Sequence, residues 1–309
     1  MRINADGADT LYRLPTQIAQ VVRDLSERKL HRLIFHHVLG HDPIVMRLPG
    51  ILALSYDVFL HDFHLICPRV TLLDASGFYC GEPNSNVCNS CMQADPRPIG
   101  SPMMSEALRE AFAKFLLGAE RIFAPSADLA ARFSAHFGLA NISVIPPQDA
   151  ITCVRPRRHR LAAKCLVAIV GAVGRHKGFE VLLGCAEDAA ERRLPLDFVL
   201  IGHSIDDSRL LGTGRFFITG RYSEGEAPEL LRREGAEVGL IPSIWPETWC
   251  FALTELWRAG LHVFAFALGA QAERISLTGN GTLLRLGTPA PTINDLLLKK
   301  SAALQHRKC

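Results

Sequence analysis

Two doubly wound, Rossmann-like α/β domains built on parallel sheets are the fold this sequence predicts, and three observations carry the prediction. The chain has 309 residues, about twice the usual domain, and its 48% hydrophobic content can fill two separate cores. Short β-rich runs alternate along it with stretches of helical period, the pattern of parallel strands covered by helices. Near the middle, Pro146-Pro147-Gln148-Asp149 through Arg155-Pro156-Arg157-Arg158-His159-Arg160 breaks both periodicities and reads as a linker, which divides the chain into 1–150 and 151–309.

In the first half the spacing predicts strands at 32–38, 57–62, 121–124 and 143–146. Helices fill the intervals at 16–28, 43–54, 102–117 and 127–137, the last preceded by Ser126 as a side-chain cap. The second half repeats the alternation, with strands at 165–172, 197–202, 215–219, 238–242 and 262–267. Its helices are expected at 179–193, 224–234, 248–259 and 292–303. In such folds ligands collect at the carboxyl ends of the strands, in a cleft that two domains would share.

Charge excludes some functions. The 34 basic and 31 acidic residues leave a net charge of +3 with no long single-sign run, so no nucleic-acid partner is expected. A basic tail at Lys299-Lys300 and Arg307-Lys308 suits a solvated end, or a weak peripheral attraction to an anionic membrane surface. The opening residues lack the apolar core of a signal peptide, and no uncharged apolar run reaches the ~18 residues of a membrane span. A cytoplasmic protein is the expectation, at most touching the inner face of the membrane.

The strongest chemical signal is Pro242-Ser243-Ile244-Trp245-Pro246-Glu247-Thr248-Trp249-Cys250-Phe251-Ala252-Leu253-Thr254-Glu255, which follows a buried strand and opens a helix. Its two glutamates are eight residues apart, about 12 Å if both are helical. That approximates the reach from a sugar hydroxyl across a diphosphate to a ribose. Each carboxylate can accept hydrogen bonds from vicinal hydroxyls, and the helix N-terminus between them offers N–H groups and a positive dipole end to a diphosphate. A second element, Val170 to Leu183, holds Gly174-Arg175-His176-Lys177-Gly178 between a strand and a helix. Glycines there let backbone approach phosphate, and a cation adds charge where a diphosphate leaves. The glycine spacing is not that of a nicotinamide site.

Together these passages resemble the retaining family-4 glycosyltransferases of the GT-B fold, with their Glu-x7-Glu motif continued here by Trp257 to Val263. The resemblance covers roughly His37 to the C-terminus and is strongest from Leu166 to Ala272. It implies that Glu247 holds the donor hexose, with Thr248 and Phe251 beside it, and that Glu255 holds the ribose diol. Lys177, Gly174 and, through a shortened loop, Arg175 would face the diphosphate. Arg221 or Tyr222, in the loop Gly220-Arg221-Tyr222-Ser223, would stack on the base, although a plain turn capped by Ser223 fits these residues equally well. Gly202-His203 at a strand end is a further turn of the same kind.

In the first half, Leu60-His61-Asp62-Phe63-His64 follows a strand and resembles the family's His-Asp segment. His61 would then meet the reacting sugar with Glu247, positioning rather than strongly deprotonating an acceptor. His36 and His37 end the preceding strand. Cys67, Cys80, Cys88 and Cys91, the last two in a Cys-x2-Cys pair, leave three readings open: structural zinc, free thiols or disulfides. The chemistry itself needs no metal or cofactor beyond a nucleoside-diphosphate sugar, and the acceptor would be a glycan or a lipid-linked glycan. A GT-B enzyme opens with a strand and a glycine-rich loop, whereas a helix is predicted first here, so the first domain is expected to be incomplete. Two alternatives stand beside the transferase: a non-catalytic nucleotide-sugar-binding protein, and a GT-B sugar-nucleotide epimerase.

Overall fold

The computed structural model describes residues 1–5, 8–94, 105–148 and 164–306. It divides into two compact units, one of 1–75 and 81–145, the other of 76–80 and 146–309. The chain thus lends Ser76–Cys80 to the second unit before its main crossing at Ile145 and Pro146, a detail the sequence did not announce. Most of the proline- and arginine-rich stretch, the start expected at 102 for a helix, Cys153, and the terminal Arg307, Lys308 and Cys309 lie outside the described residues.

The first unit opens with an antiparallel hairpin, β1 (Arg2–Ala5) and β2 (Ala8–Leu11), in the register Arg2 to Leu11. This corrects the helix-first expectation. An Asp-Gly dipeptide lies between two short alternating runs, and Asn4 Nδ2 donates to Asp9 Oδ1 at 2.7 Å across the pair. Helix α1 (Ile18–Ser26) follows, then β3 (Leu33–Phe35), a 3-10 turn at Pro43–Arg47 and the short α2 (Leu48–Leu52), which together replace one predicted helix. Next come β4 (Tyr56–Phe59), an unforeseen α3 (Ser85–Ala94), α4 (Ser105–Leu117), β5 (Arg121–Ala124), α5 (Ala127–Phe137) and β6 (Ile142–Val144). Strands β3, β4, β5 and β6 form a parallel sheet in that order. Helix α5 starts as its sequence dictates, with Ser126 Oγ accepting from the Leu129 N–H, and stops at Gly138 with φ +65°.

A buried carboxylate ties this sheet together. Asp57, 1% exposed on β4, accepts from Arg32 Nη1 at 2.7 Å and from Arg121 Nε and Nη2 at 3.1 and 2.6 Å. The Arg121 guanidinium, seconded by Arg32, outweighs burial and holds the Asp57 carboxyl below its usual range.

In the second unit, nearly continuous apolar runs form β7 (Cys165–Val173) and β8 (Leu196–Ser204), two long neighbouring strands of a six-stranded sheet. Around them are α6 (Phe179–Glu191), α7 (Asp207–Gly212), β9 (Phe216–Ile218), α8 (Ala227–Glu234), β10 (Val238–Ile241) and α9 (Phe251–Arg258). The chain closes with β11 (His262–Phe266), α10 (Gly269–Thr278), β12 (Gly281–Leu284) and α11 (Ala290–His306). All strands run parallel in the order β12-β11-β10-β7-β8-β9. Because strand side chains alternate in direction, Val167, Ile169, Phe198 and Leu200 fill one core with α6 and α11. Ala168, Val170, Val199 and Ile201 fill the other with α8 and α9. Burial on both faces is why these strands read as unbroken hydrophobic runs.

Candidate functional site

The reversal point of this strand order lies between β7 and β10, whose connections leave toward opposite faces, and ligands are expected past the strand ends there. Two loops meet there. From β7, the turn Gly174–Gly178 leads into α6; from β10, Pro242–Cys250 leads into α9. They interlock: the Ile244 N–H donates to the His176 carbonyl at 3.0 Å, and the His176 ring sits edge-on to Trp245 with centroids 5.2 Å apart. Gly178 has φ +82°, and any Cβ on it would overlap the Pro242 carbonyl, so only glycine permits this approach.

Lys177 and Glu247 are brought together by this arrangement. Lys177 Nζ lies 3.2 Å from Glu247 Oε1 and 3.3 Å from Oε2, and the Ser243 hydroxyl donates to Oε1 at 2.6 Å. Glu247 is buried, while about a third of the Lys177 side chain, 34%, faces solvent. Burial alone would lower the Lys177 pKa, but the groups around it, Glu247 foremost, together outweigh burial, so the ammonium is held charged. His176 moves the other way: burial, and then the Lys177 charge, favour its neutral ring.

Helix α9 begins at Phe251, three residues later than predicted, so Glu247 stands in the loop and not on the helix. The helical-rise estimate therefore does not measure the separation of the two glutamates, although the helix N-terminus does lie between them in sequence. Among the described residues, no side chain caps that N-terminus. Glu255, one turn into α9, accepts from Arg258 Nη1 at 3.1 Å through Oε1, while its Oε2 is buried without a hydrogen-bond partner among the described residues. Tyr222 is half-buried near both groups: burial, then the Glu255 charge, raise its phenol pKa, and Lys177 opposes them. Arg221, Arg175 and Phe251 are exposed, and Gly174 and Thr248 are half-buried. Ser223 does not cap α8; its N–H donates to Glu226 Oε2 at 2.8 Å. Gly202 and His203 are among the last three residues of β8, and Gly202, at φ +136°, is pressed against the Gly171 backbone.

Helix α10 was not foreseen, yet it anchors the β10 to α9 loop. The Ala270 N–H donates to the Glu247 carbonyl at 2.8 Å, and a Cβ on Gly269 would come within 2.6 Å of the Glu247 nitrogen. Arg274, 5% exposed, donates through Nη1 to the carbonyls of Trp249 and Cys250 at 3.1 and 2.8 Å, and through Nη2 to Thr254 Oγ1 at 2.8 Å. No local motif marks it, because its partners lie 20 to 25 residues away. Beside Gly178, within the same unit, a cavity of about 480 Å³ is lined by Phe78, Tyr79, Arg175, Ile244, Phe266 and Leu286, a size that suits a small organic ligand.

In the first unit the ends of β3 and β4 gather histidines. His36 Nδ1 and His61 Nε2 are 3.1 Å apart, His37 pairs with Asp62, and Asp62 Oδ1 accepts from the His64 N–H at 2.8 Å. Desolvation, then the neighbouring His36 and His37, lower the His61 pKa; desolvation does the same for buried His64. The His61 and His64 rings are therefore favoured in their neutral form near pH 7.

Among the described residues, no group of three or more His, Cys, Asp or Glu side chains could hold a metal ion. No disulfide joins Cys67, Cys80, Cys88 and Cys91 among the described residues; Arg109 Nη2 lies 3.4 Å from Cys88 Sγ, and Arg69 Nη2 donates to the Cys91 carbonyl at 3.0 Å.

No protein-family model matches this sequence, and no curated protein matches it either. Solved structures do. Anabaena HepE, in complex with UDP, is 14% identical with a TM-score of 0.60, over 94% of this chain and 76% of its own. TarM is 13% identical with a TM-score of 0.62, over 97% of this chain and 54% of its own. The lipopolysaccharide outer core galactosyltransferase WaaB is 15% identical with a TM-score of 0.55, over 94% and 71%. The fold is GT-B. At such identities the likeness establishes this architecture of Rossmann-like α/β units and nothing finer. The chain spans about three quarters of HepE but only about half of TarM.

Proposed function

We propose that this GT-B chain is a retaining glycosyltransferase that moves a hexose or deoxyhexose from a nucleoside-diphosphate sugar to a glycan or lipid-linked acceptor. The observation that carries the proposal is the Lys177 ammonium, held charged against buried Glu247 beside the uncapped N-terminus of α9. A cation and a helix N-terminus together suit a diphosphate that gains negative charge as it leaves. Glu247 then takes the hexose, with Thr248 and Phe251 beside it, and Glu255 takes the ribose diol through its Oε2, which has no partner among the described residues. Tyr222 and Arg221 are assigned to the base, and Arg175 and Gly174 to the phosphates. His61, favoured as a neutral ring, orients the acceptor hydroxyl, whose proton passes to the departing phosphate.

Neighbours support the donor class: HepE has been solved with UDP-glucose, and pneumococcal O-GlcNAc transferase GtfA with UDP and GlcNAc. The lipopolysaccharide outer core galactosyltransferase WaaB lends the same support to a role in cell-envelope polysaccharide synthesis. No helix among the described residues is long and apolar enough to cross a membrane. Calorimetry with UDP and GDP tests the site. Binding is expected in the wild type and should weaken at least about tenfold, some 1.4 kcal/mol, in Lys177→Ala and in Glu255→Ala. Unchanged binding in both variants would remove the site.

A further inference from the structure

Cys250 adopts φ +70° and ψ 76°, in the left-handed region that side-chain-bearing residues enter only at a cost. It is buried and immediately precedes α9, so its conformation sets the direction in which the first N–H groups of that helix point. Such a conformation persists only where the surroundings over-determine it. With no side chain among the described residues capping the helix, the support has to come from elsewhere.

It comes from α10. The Arg274 guanidinium takes the carbonyls on both sides of the turn, Trp249 and Cys250, and the Thr254 hydroxyl in the first turn of α9. Its plane also rests 3.9 Å from the Trp249 ring centroid and 5.2 Å from that of Trp257. Only a rigid planar fork of donors meets three acceptors and two ring faces at once; a lysine ammonium could not. The same helix holds the other end of the loop, because the Ala270 N–H takes the Glu247 carbonyl. The segment from Glu247 to Cys250 is thus fastened to α10 at both ends.

We propose that Arg274 is a positioning residue: it fixes the left-handed turn at Cys250, and through it aims the start of α9 at the donor diphosphate. It touches no donor atom, and the role rests on the nucleotide-sugar reading above. Two readouts separate the two claims. Hydrogen–deuterium exchange of residues 247–256, measured on the full chain without nucleotide, is expected to rise at least about tenfold in Arg274→Met, while 165–173 stays protected. UDP affinity by calorimetry should fall by about tenfold or more in the same variant and by less in Arg274→Lys. Cys250→Gly placed in the Arg274→Met background should recover part of the affinity, since glycine accepts positive φ unaided; a merely structural arginine would show no such rescue. If Arg274→Met does not fold, Arg274→Lys and Thr254→Val, which removes one of the three acceptors, carry the same two measurements. Unchanged exchange at 247–256, or raised exchange with undiminished UDP affinity, overturns the proposal. A wild type that binds neither UDP nor GDP overturns the donor reading instead, and is told apart because the exchange arm uses no nucleotide.

Discussion

Gly178 has room for a hydrogen atom and nothing more. Its φ of +82° strains any other residue, and a methyl group would overlap the Pro242 carbonyl, which is backbone and cannot turn aside. Gly178→Ala is therefore expected to destabilise the second unit by at least about 3 kcal/mol, the sum of left-handed strain and overpacking. Urea denaturation measures this, and a loss under about 1 kcal/mol would show that the two loops are less closely joined. Lys177→Met tests the ion pair apart from any ligand. It leaves the buried Glu247 carboxylate with Ser243 but without its cation. The expected loss is about 1–3 kcal/mol, below the figure for a fully buried pair because water reaches part of Lys177. A variant as stable as the wild type would mean that solvent already screens the pair.

Elements were legible where a strong local signal matched the tertiary setting. β7 and β8 were plain in the sequence because strands buried on both faces must be apolar throughout. α9 was recognised but started too early: Thr248 and Trp249 continue its helical composition, and nothing in the letters shows that Cys250 turns left-handed. α10 and β12 escaped notice because Gly269, Gln271 and Gly281 dilute their periodicity and tertiary contacts hold them in place. The candidate site divides the same way. Glu247, Glu255 and Lys177 showed through their spacing and neighbours, whereas Arg274 is a donor whose acceptors lie on another element.

β11 carries a pH prediction. Burial, with a smaller contribution from Lys300, lowers His262 to about 4, while its Nε2 lies 2.8 Å from Thr282 Oγ1 on β12. The folded value is below the unfolded value of about 6.5, so the neutral ring is favoured by folding. Stability is complete above about pH 6.5 and is lost as pH falls from there toward 4. The denaturation midpoint should drop between pH 7.5 and 5, and His262→Gln should flatten part of that slope. An identical slope in the variant would place the pH dependence on other groups, such as His64 and His176, whose pKa values are shifted in the same direction.

At the scale of the whole molecule, an architecture shared at 13–15% identity shows how little of a sequence a fold demands: apolar strands, helices of the right period and glycines where backbones meet. Function asks for more, because it lives in a few side chains held at set positions. The positions proposed for it lie at the ends of β7 and β10, where Lys177 and Glu247 meet in the loops that lead into α6 and α9. A crystal structure of the chain with UDP-glucose is the most direct test. The diphosphate should lie within hydrogen-bonding distance of Lys177 Nζ and the first N–H groups of α9, with the ribose hydroxyls on Glu255 and the hexose on Glu247. A nucleotide bound elsewhere, with Lys177 and Glu247 still closed on each other, would contradict it.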